Sequence, residues 1–442
     1  MSRTFWVETL GCPKNQVDSD KLVGTMLADG LVPAAAPDDA DLVVVNTCAF
    51  VEEARRESID VVLDLADRKA AGAELVVTGC LAERYRDELA EALPEVDAVA
   101  PFGVPVTLGP TRRHRQPEGE RAGEAGAEPG AAGATDAVAS VPSLDLLELP
   151  RPPASAPWAY VKVAEGCDRA CGFCAIPSFR GKQRSRPLES VLAEVDGLAA
   201  SGVREIVLVA QDLAAYGRDQ GRGERRIVPL VAAAAERVDR VRLLYLYPSD
   251  LTDGLIEAIC ATGVPYFDLS LQHASGRLLR RMRRWGDGER FLRRIEAIRA
   301  RAPEAAFRSS FIVGYPGETE DDHDVLLDFV ERAQLDWAGF FAYSREEGTY
   351  AAGLDGVVDD GLVADRLAEL RELQDGITAA RRDALIGSVT EVLVDAPGVG
   401  RSHREAPEID GVITLPDDVP AGALIKVQIT GAAGPDLDAV PI

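Results

Sequence analysis

The 442-residue sequence predicts an α/β protein of three parts: an N-terminal parallel α/β domain, a partial barrel of six βα units, and a small C-terminal all-β module. Three observations predict it. Valine-rich runs alternate with helical patterns over the first hundred or so residues, six further strand-like runs separated by helix-like stretches fill the middle of the chain, and the end holds short alternating runs broken by Gly, Pro and Asp.

In order along the chain, TFWVETL, a helix from about Val17 to Asp29, DLVVVNT, a helix near Glu52 to Ala71, ELVVTG, a helix near Ala82 to Leu93, and VDAVA make up the first part. Near-continuous apolar strands flanked by helices belong to parallel sheets covered on both faces. Residues 116–142 then contain 16 Ala, Gly or Pro in 27 positions and no aromatic residue, a composition that cannot bury enough surface to fold and predicts a linker. The six strands of the second part are AYVKV (159–163), EIVLVA (205–210), VRLLYL (241–246), FDLSL (267–271), RSSFIV (308–313) and WAGFFAY (337–343). Six units are two short of a closed eight-stranded barrel, and in such folds the chemistry sits at the carboxyl ends of the strands. A polar helix from about Gly361 to Leu385 leads into SVTEVLVDA, GVITL and ALIKVQIT. The expected domains are 1–111, a linker or insertion at 112–150, 151–387, and 388–442.

Composition narrows the function. A formal net charge of −25 excludes a basic nucleic-acid-coating protein, and 46% hydrophobic residues exclude wholesale disorder. No apolar run approaches the roughly 18 residues that span a bilayer, and the opening MSRTFWVETLGCPK lacks a signal peptide's apolar stretch, so a cytoplasmic protein without a membrane partner is expected. Seven cysteines in so long a chain are too few for a disulfide scaffold and point instead to metal or redox chemistry.

Cys167, Cys171 and Cys174 lie in GCDRACGFC, directly after the first barrel strand. Three thiolates in C-x3-C-x2-C spacing can wrap one corner of an iron–sulfur cubane and leave its fourth iron open to a small molecule. Zinc is the alternative, but it favours four closed ligands and no second pair or nearby His supplies the rest. Cys12, Cys48 and Cys80 are far apart in sequence, yet each follows a strand directly, in VETLGC, VVVNTC and VVTGC. Parallel strands of one sheet bring such ends to a common edge, where α/β folds bind ligands; the alternative is three small buried hydrophobes. Cys260, in the apolar helix GLIEAICATG, reads as a core thiol.

GCDRACGFCAIPSFRG resembles the cluster loop of radical S-adenosylmethionine (SAM) enzymes, and the three parts in this order resemble the methylthiotransferases, with an N-terminal cluster domain, a radical SAM core and a C-terminal TRAM module. TLGCPKNQVDSD, VVNTCAFVEEARRES, CAIPSFRGKQRSRP, YLYPSDLTDGLI, LQHASGRLLRRM, FIVGYPGETEDD and FAYSREEGT resemble the RimO branch, which modifies an aspartate of small-subunit ribosomal protein S-twelve; the tRNA-modifying MiaB branch is the close relative. The resemblance implies two 4Fe-4S clusters, one on Cys167, Cys171 and Cys174 that binds SAM, and an auxiliary one on Cys12, Cys48 and Cys80 that presents the sulfur. It also implies a low-potential electron donor of unidentified kind. The chemistry belongs to the cofactors, so no catalytic acid or base is assigned.

Weaker signals surround these. By the same resemblance Phe173 lies near the adenine, against a plain reading as loop packing. Gln211 and Asp212, ending the second barrel strand, are candidates for the methionine and ribose groups of SAM. Gly314 in IVGYPGETEDD resembles a cofactor-facing turn, although Pro316, Gly317 and the Thr319/Asp322 spacing describe equally a turn and a capping box. His273 in LQHAS ends a strand and faces either the cavity or a structural hydrogen bond. Arg180, Lys182, Arg184 and Arg186 follow the cluster loop, and residues 277–301 carry ten Arg against three acidic residues. A solvated face is the default reading there, with ribosomal RNA or a substrate carboxylate as the sharper ones.

The expected function is therefore methylthiolation of the S-twelve aspartate, with that protein, free or on the ribosome, as partner. Residues 388–442 carry three basic and nine acidic side chains, which suits a basic protein better than tRNA phosphates. A tRNA adenosine methylthiotransferase and a non-catalytic iron–sulfur protein docking on the ribosome are the alternatives.

Overall fold

The computed structural model describes residues 3–106, 145–221 and 223–442; the stretch 116–142 read as a linker lies outside them. The first part is a five-stranded parallel sheet. Its elements are β1 (Thr4–Thr9), α1 (Pro13–Ala28), β2 (Val32–Pro33), β3 (Leu42–Thr47), α2 (Glu52–Arg68), β4 (Glu74–Gly79), α3 (Cys80–Ala92) and β5 (Ala98–Ala100), in strand order β2-β1-β3-β4-β5. β3 is buried along its whole length, as its unbroken LVVVNT run requires of a strand covered on both faces. The edge strand β2 is two exposed residues, too short and too polar a signal to stand out in the sequence.

The barrel follows. β6 (Trp158–Lys162) leads through the short β7 (Ala164–Glu165), α4 (Ile176–Arg180) and β8 (Arg184–Ser185) to α5 (Leu188–Ala200). The remaining units are β9 (Glu205–Val209), α6 (Ile227–Ala235), β10 (Arg240–Leu243), α7 (Asp253–Cys260), β11 (Tyr266–Gln272), α8 (Gly276–Arg281), α9 (Gly288–Arg301), β12 (Ala306–Val313), α10 (Glu320–Ala333) and β13 (Trp337–Ala342). Two parallel triplets, β10-β9-β6 and β11-β12-β13, are joined by a Leu246–Leu269 bridge, so all six expected strands are present and the barrel is open between β6 and β13. α1 stands at that opening. Its Val17 is buried in one cluster with Tyr160 of β6 and Trp337 of β13, the two edge strands.

α11 (Asp360–Asp383) connects to a closed five-stranded barrel of β14 (Val389–Ala396), β15 (Val399–Arg401), β16 (Ile413–Thr414), β17 (Leu424–Ala433) and β18 (Asp436–Pro441). β15 and β18 were not legible: one is three residues long and the other alternates Asp with small residues. This module sits against the amino ends of the core strands. Tyr160 donates to Pro407 O at 2.9 Å, Trp337 Nε1 to Arg404 O at 2.7 Å, and Tyr266 to Asp410 at 2.5 Å. Beneath these contacts Glu205, fully buried, accepts from Arg242 Nε at 2.7 Å and from Arg401 at 3.3 Å. The N-terminal domain covers the other end, the carboxyl ends of the strands. Residues 145–150 also lie on the core, with Leu147 buried and Asp145 paired to Arg184.

Candidate functional site

Cys12, Cys48 and Cys80 all stand at the carboxyl edge of the N-terminal sheet, after β1, β3 and β4. Two glycines bring them together. Gly11 has φ +95°, and a Cβ there would lie 2.8 Å from the Cys48 Cβ and 3.0 Å from its sulfur; Gly79 has φ +90°, and a Cβ would lie 2.3 Å from Asn46 Oδ1. Asn15 ties the edge together by donating to Leu10 O at 2.9 Å and Thr47 O at 3.1 Å. Burial pushes the Cys48 thiol up to about 12, and Cys12 and Cys80 add to the rise. Burial likewise raises Cys80, against the pull of Arg180. At Cys12 burial is outweighed by Lys14, Arg180 and the amides of Asn15 and Lys14, which hold that thiol below its ordinary value.

The second trio surrounds the loop after β6 and β7. The Arg169 amide donates to the Cys167 sulfur and Arg284 Nη1 to the Cys171 sulfur, each at 3.4 Å. Burial raises Cys167 to about 11 and Cys174 to about 12. Among the described residues no three His, Cys, Asp or Glu side chains group around a single metal ion. Thiolate-only donors that receive hydrogen bonds from amides and guanidinia suit an anionic iron–sulfur cluster.

Arg180, at the end of α4, reaches the first trio from the chain segment that follows the second. It lies on the cluster loop six residues after Cys174, yet its Nη2 donates to the Cys80 sulfur at 3.0 Å and to Asn15 Oδ1 at 2.7 Å. Its Nη1 reaches Glu165 at 2.9 Å and Asp18 at 3.2 Å, and its guanidinium lies over the Phe102 ring. Lys162 pairs with the same two carboxylates. Burial alone would raise Glu165, but Arg180 and Lys162 hold it well below the usual range. Glu165 accepts from Gln211 Nε2 at 2.5 Å, while Gln211 Oε1 is buried without a partner.

Asp212 is buried beside it, takes Arg169 Nε at 2.5 Å, and has its Oδ1 free of any partner. Arg169 also bridges to Asp250, and the Tyr247 ring carries Arg169 and Arg284 at 3.9 and 4.0 Å. Gln211 and Asp212 thus each aim an unanswered buried oxygen, as residues waiting for a polar ligand do. Phe173 is half-buried against the barrel core.

Two other candidates have neighbours of their own. Gly314, at φ +81°, is packed so that a Cβ would lie 2.5 Å from Val363 of α11, and its amide donates to Glu318 at 2.7 Å; Thr319 and Asp322 form the capping box their spacing described. His273 is wholly buried, accepts the Ser275 amide on Nδ1 at 3.0 Å, and has Asp322, His323, Arg366 and Arg277 as its charged neighbours rather than the cysteines. Cys260 packs at the margin of the core.

Six of the ten arginines in 277–301 are exposed, although several basic residues of both runs are paired. Arg184 pairs with Asp145, Arg186 with Glu194 at 2.7 Å, Arg277 with Asp322, and Arg294 with Asp253; Arg281 and Arg299 cap carbonyl groups; Lys182 is exposed. Arg180, Arg169, Arg284 and Glu165 carried no sequence signal of their role, because each acquires it from partners distant in the chain.

Three family models match: uncharacterized protein family UPF0004 over residues 4–101, the radical SAM superfamily over 161–330, and the TRAM domain over 386–442. The chain is 43% identical over 472 residues to ribosomal protein uS12 methylthiotransferase RimO of Cutibacterium acnes, covering 99% of this chain and 98% of that one. It is 45% identical over 439 residues to the protein of the same name from Moorella thermoacetica, covering 96% of each. Among solved structures, the radical SAM methyltransferase TsrM from Kitasatospora setae is similar with a TM-score of 0.49 at 14% identity, covering 87% of this chain and 91% of that one.

Proposed function

The chain belongs to the ribosomal protein uS12 methylthiotransferase RimO family of radical SAM enzymes, and from that membership we propose that it inserts a methylthio group at the β-carbon of an aspartate in uS12, in the cytoplasm. The observation that carries this reading is Arg180, which ends α4 six residues after Cys174 and donates to the Cys80 sulfur, so that the segment following one trio reaches a ligand of the other. Cys167, Cys171 and Cys174 hold the cluster that takes SAM, and Cys12, Cys48 and Cys80 hold the auxiliary cluster. When bound, the two clusters and SAM supply an electron, a 5′-deoxyadenosyl radical that removes the β-hydrogen, and the methylated sulfur that the carbon captures.

The chain's own residues ligate, orient and exclude water. Gln211 and Asp212 offer their free oxygens to the polar groups of SAM, Arg169 orients Asp212, and Phe173 packs beside the adenine. Arg284 and the Arg169 amide temper the charge on the cluster sulfurs. Gly314 and His273 take structural roles in this scheme. The low-potential donor meets the enzyme from outside, and uS12 is recognised free or on the ribosome. Six of the ten arginines in 277–301 are exposed, so a solvated basic face stands there beside the recognition of uS12.

Anaerobically reconstituted protein given a reductant and SAM is expected to yield 5′-deoxyadenosine and to add the mass of one methylthio group to uS12. Mass gain on tRNA alone, or cluster-loaded protein that never cleaves SAM, overturns the proposal.

A further inference from the structure

The seam between the N-terminal domain and the barrel is crossed by buried cations, and nearly all are answered by carboxylates. Lys21 meets Glu194 at 2.7 Å, Arg151 meets Asp20 and Glu194, and Lys162 and Arg180 share Asp18 and Glu165. Lys14 is the exception. Half-buried in the first turn of α1, two residues after Cys12, its ammonium has no hydrogen bond and no carboxylate within ion-pair distance among the described residues. Its Nζ instead lies 3.3 Å from the centroid of the Tyr245 ring, inside the open barrel.

Tyr245 is fixed for this contact. Its backbone is left-handed, with φ 66°, and its amide is held by Asp268 at 2.9 Å. Asp268, the nearest carboxylate that could answer Lys14, is already committed to that amide and to Arg308 at 3.0 Å. A desolvated ammonium on a π face gains roughly 1–2 kcal/mol, less than the cost of burying it without a counter-charge. The Lys14 ammonium, beside Cys12 and Arg180, thus lacks a carboxylate of its own among the described residues.

We infer that Lys14 receives the side-chain carboxylate of the target aspartate and thereby selects aspartate over its amide. This inference rests on the function proposed above. A carboxylate held at Lys14 is one bond from the β-carbon, so the residue that binds the substrate charge also fixes the carbon to be modified beside the auxiliary edge. The competing partner for Lys14 is the Cys12 sulfur, and the two assignments differ in what a neutral replacement changes.

The test measures binding, anaerobically and with reconstituted protein, of two uS12 peptides that carry Asp or Asn at the target position. The wild type is expected to bind the Asp peptide at least about tenfold more tightly than the Asn peptide. Lys14→Gln should weaken only the Asp peptide and bring the ratio near one, with iron content and visible absorption unchanged, and Lys14→Arg should keep most of the preference. A wild-type ratio near one overturns the inference without any variant. So does a ratio that survives Lys14→Gln, or a Lys14→Gln protein that loses iron and weakens both peptides alike, which would assign Lys14 to Cys12. If the wild type modifies uS12 while the ratio argument fails, only this inference falls. If it neither binds nor modifies uS12, the functional proposal falls with it.

Discussion

Arg180 does more than its place in a basic run suggested. Its two faces serve different partners: one donates to the Cys80 sulfur and Asn15, the other balances Asp18 and Glu165. Arg180→Met leaves two buried carboxylates to a single Lys162, a loss of about 3–5 kcal/mol by analogy with other broken buried pairs. Iron per chain should fall toward half the wild-type value while 5′-deoxyadenosine formation persists, which iron analysis and chromatography would check; full iron content would show that Cys80 needs no such donor. The two cysteine groups themselves separate in the same way. Cys171→Ala should abolish SAM cleavage, and Cys48→Ala should leave cleavage but stop sulfur insertion, so equal loss of both in Cys48→Ala argues against separate roles. The six cysteines were legible because spacing and strand ends expose them. Arg180 was not, since its meaning lies in Asn15 and Cys80, 165 and 100 positions away.

His273 carries a pH signature of its own. Burial pulls its imidazole down to about 3, and Asp322 only partly opposes this. A histidine that is neutral when folded and titrates near 6.5 when unfolded adds stability that is complete above pH 6.5 and drains away as pH falls toward 3, at roughly 1.4 kcal/mol per unit. The urea midpoint of the wild type should therefore drop faster than that of His273→Gln between pH 6.5 and 4.5. Parallel curves would mean that the ring is not kept neutral.

Among the elements, the strands were read well and the connections poorly. The six barrel strands and β1, β3 and β4 carry apolar or aromatic runs that a pattern detects; β2, β7, β8 and β15 are two or three residues long and owe their pairing to neighbours. What no pattern disclosed is that α1 belongs to two structures at once, covering its own sheet and closing the barrel between β6 and β13. The turn from β4 into α3 shows how tightly these elements are set. Gly79 adopts φ 90°, ψ −159°, a region nearly confined to glycine, against the Asn46 side chain. Gly79→Ala is expected to cost on the order of 1–3 kcal/mol in backbone strain alone and to displace Cys80. A lowered thermal midpoint together with reduced iron loading would bear this out, and an unchanged midpoint would refute it.

Across the whole molecule the two ends of the barrel have opposite duties. The carboxyl ends meet the cysteine-bearing domain, and the amino ends are sealed by the C-terminal module through Glu205, Arg242 and Arg401, all essentially without solvent. Glu205→Ala strands the buried Arg242 and leaves Arg401 to Asp395 alone, and should cost about 3–5 kcal/mol, seen as a lowered thermal midpoint and faster proteolysis near residue 388; an unaltered protein would mean that the seam is held by its apolar contacts alone. The net charge of −25 acts at longer range. Association with a basic protein partner should slow as salt rises, most steeply below about 0.15 M, where screening lengths exceed about 8 Å. A rate that ignores salt would remove electrostatic steering from the encounter.

The double duty of α1 also sets how freely this architecture can be recombined. A chimera that borrows its first hundred residues from a distant relative imports the wedge between β6 and β13 along with the sulfur ligands. Unless the donor's helix offers matches to Asp18, Asp20 and Lys21 for Lys162, Arg151 and Glu194 of the recipient, the graft leaves a breach in the barrel wall. Domain exchange in this fold must therefore respect that helix, and natural variation at its inward positions should track the barrel it plugs rather than the sheet it covers.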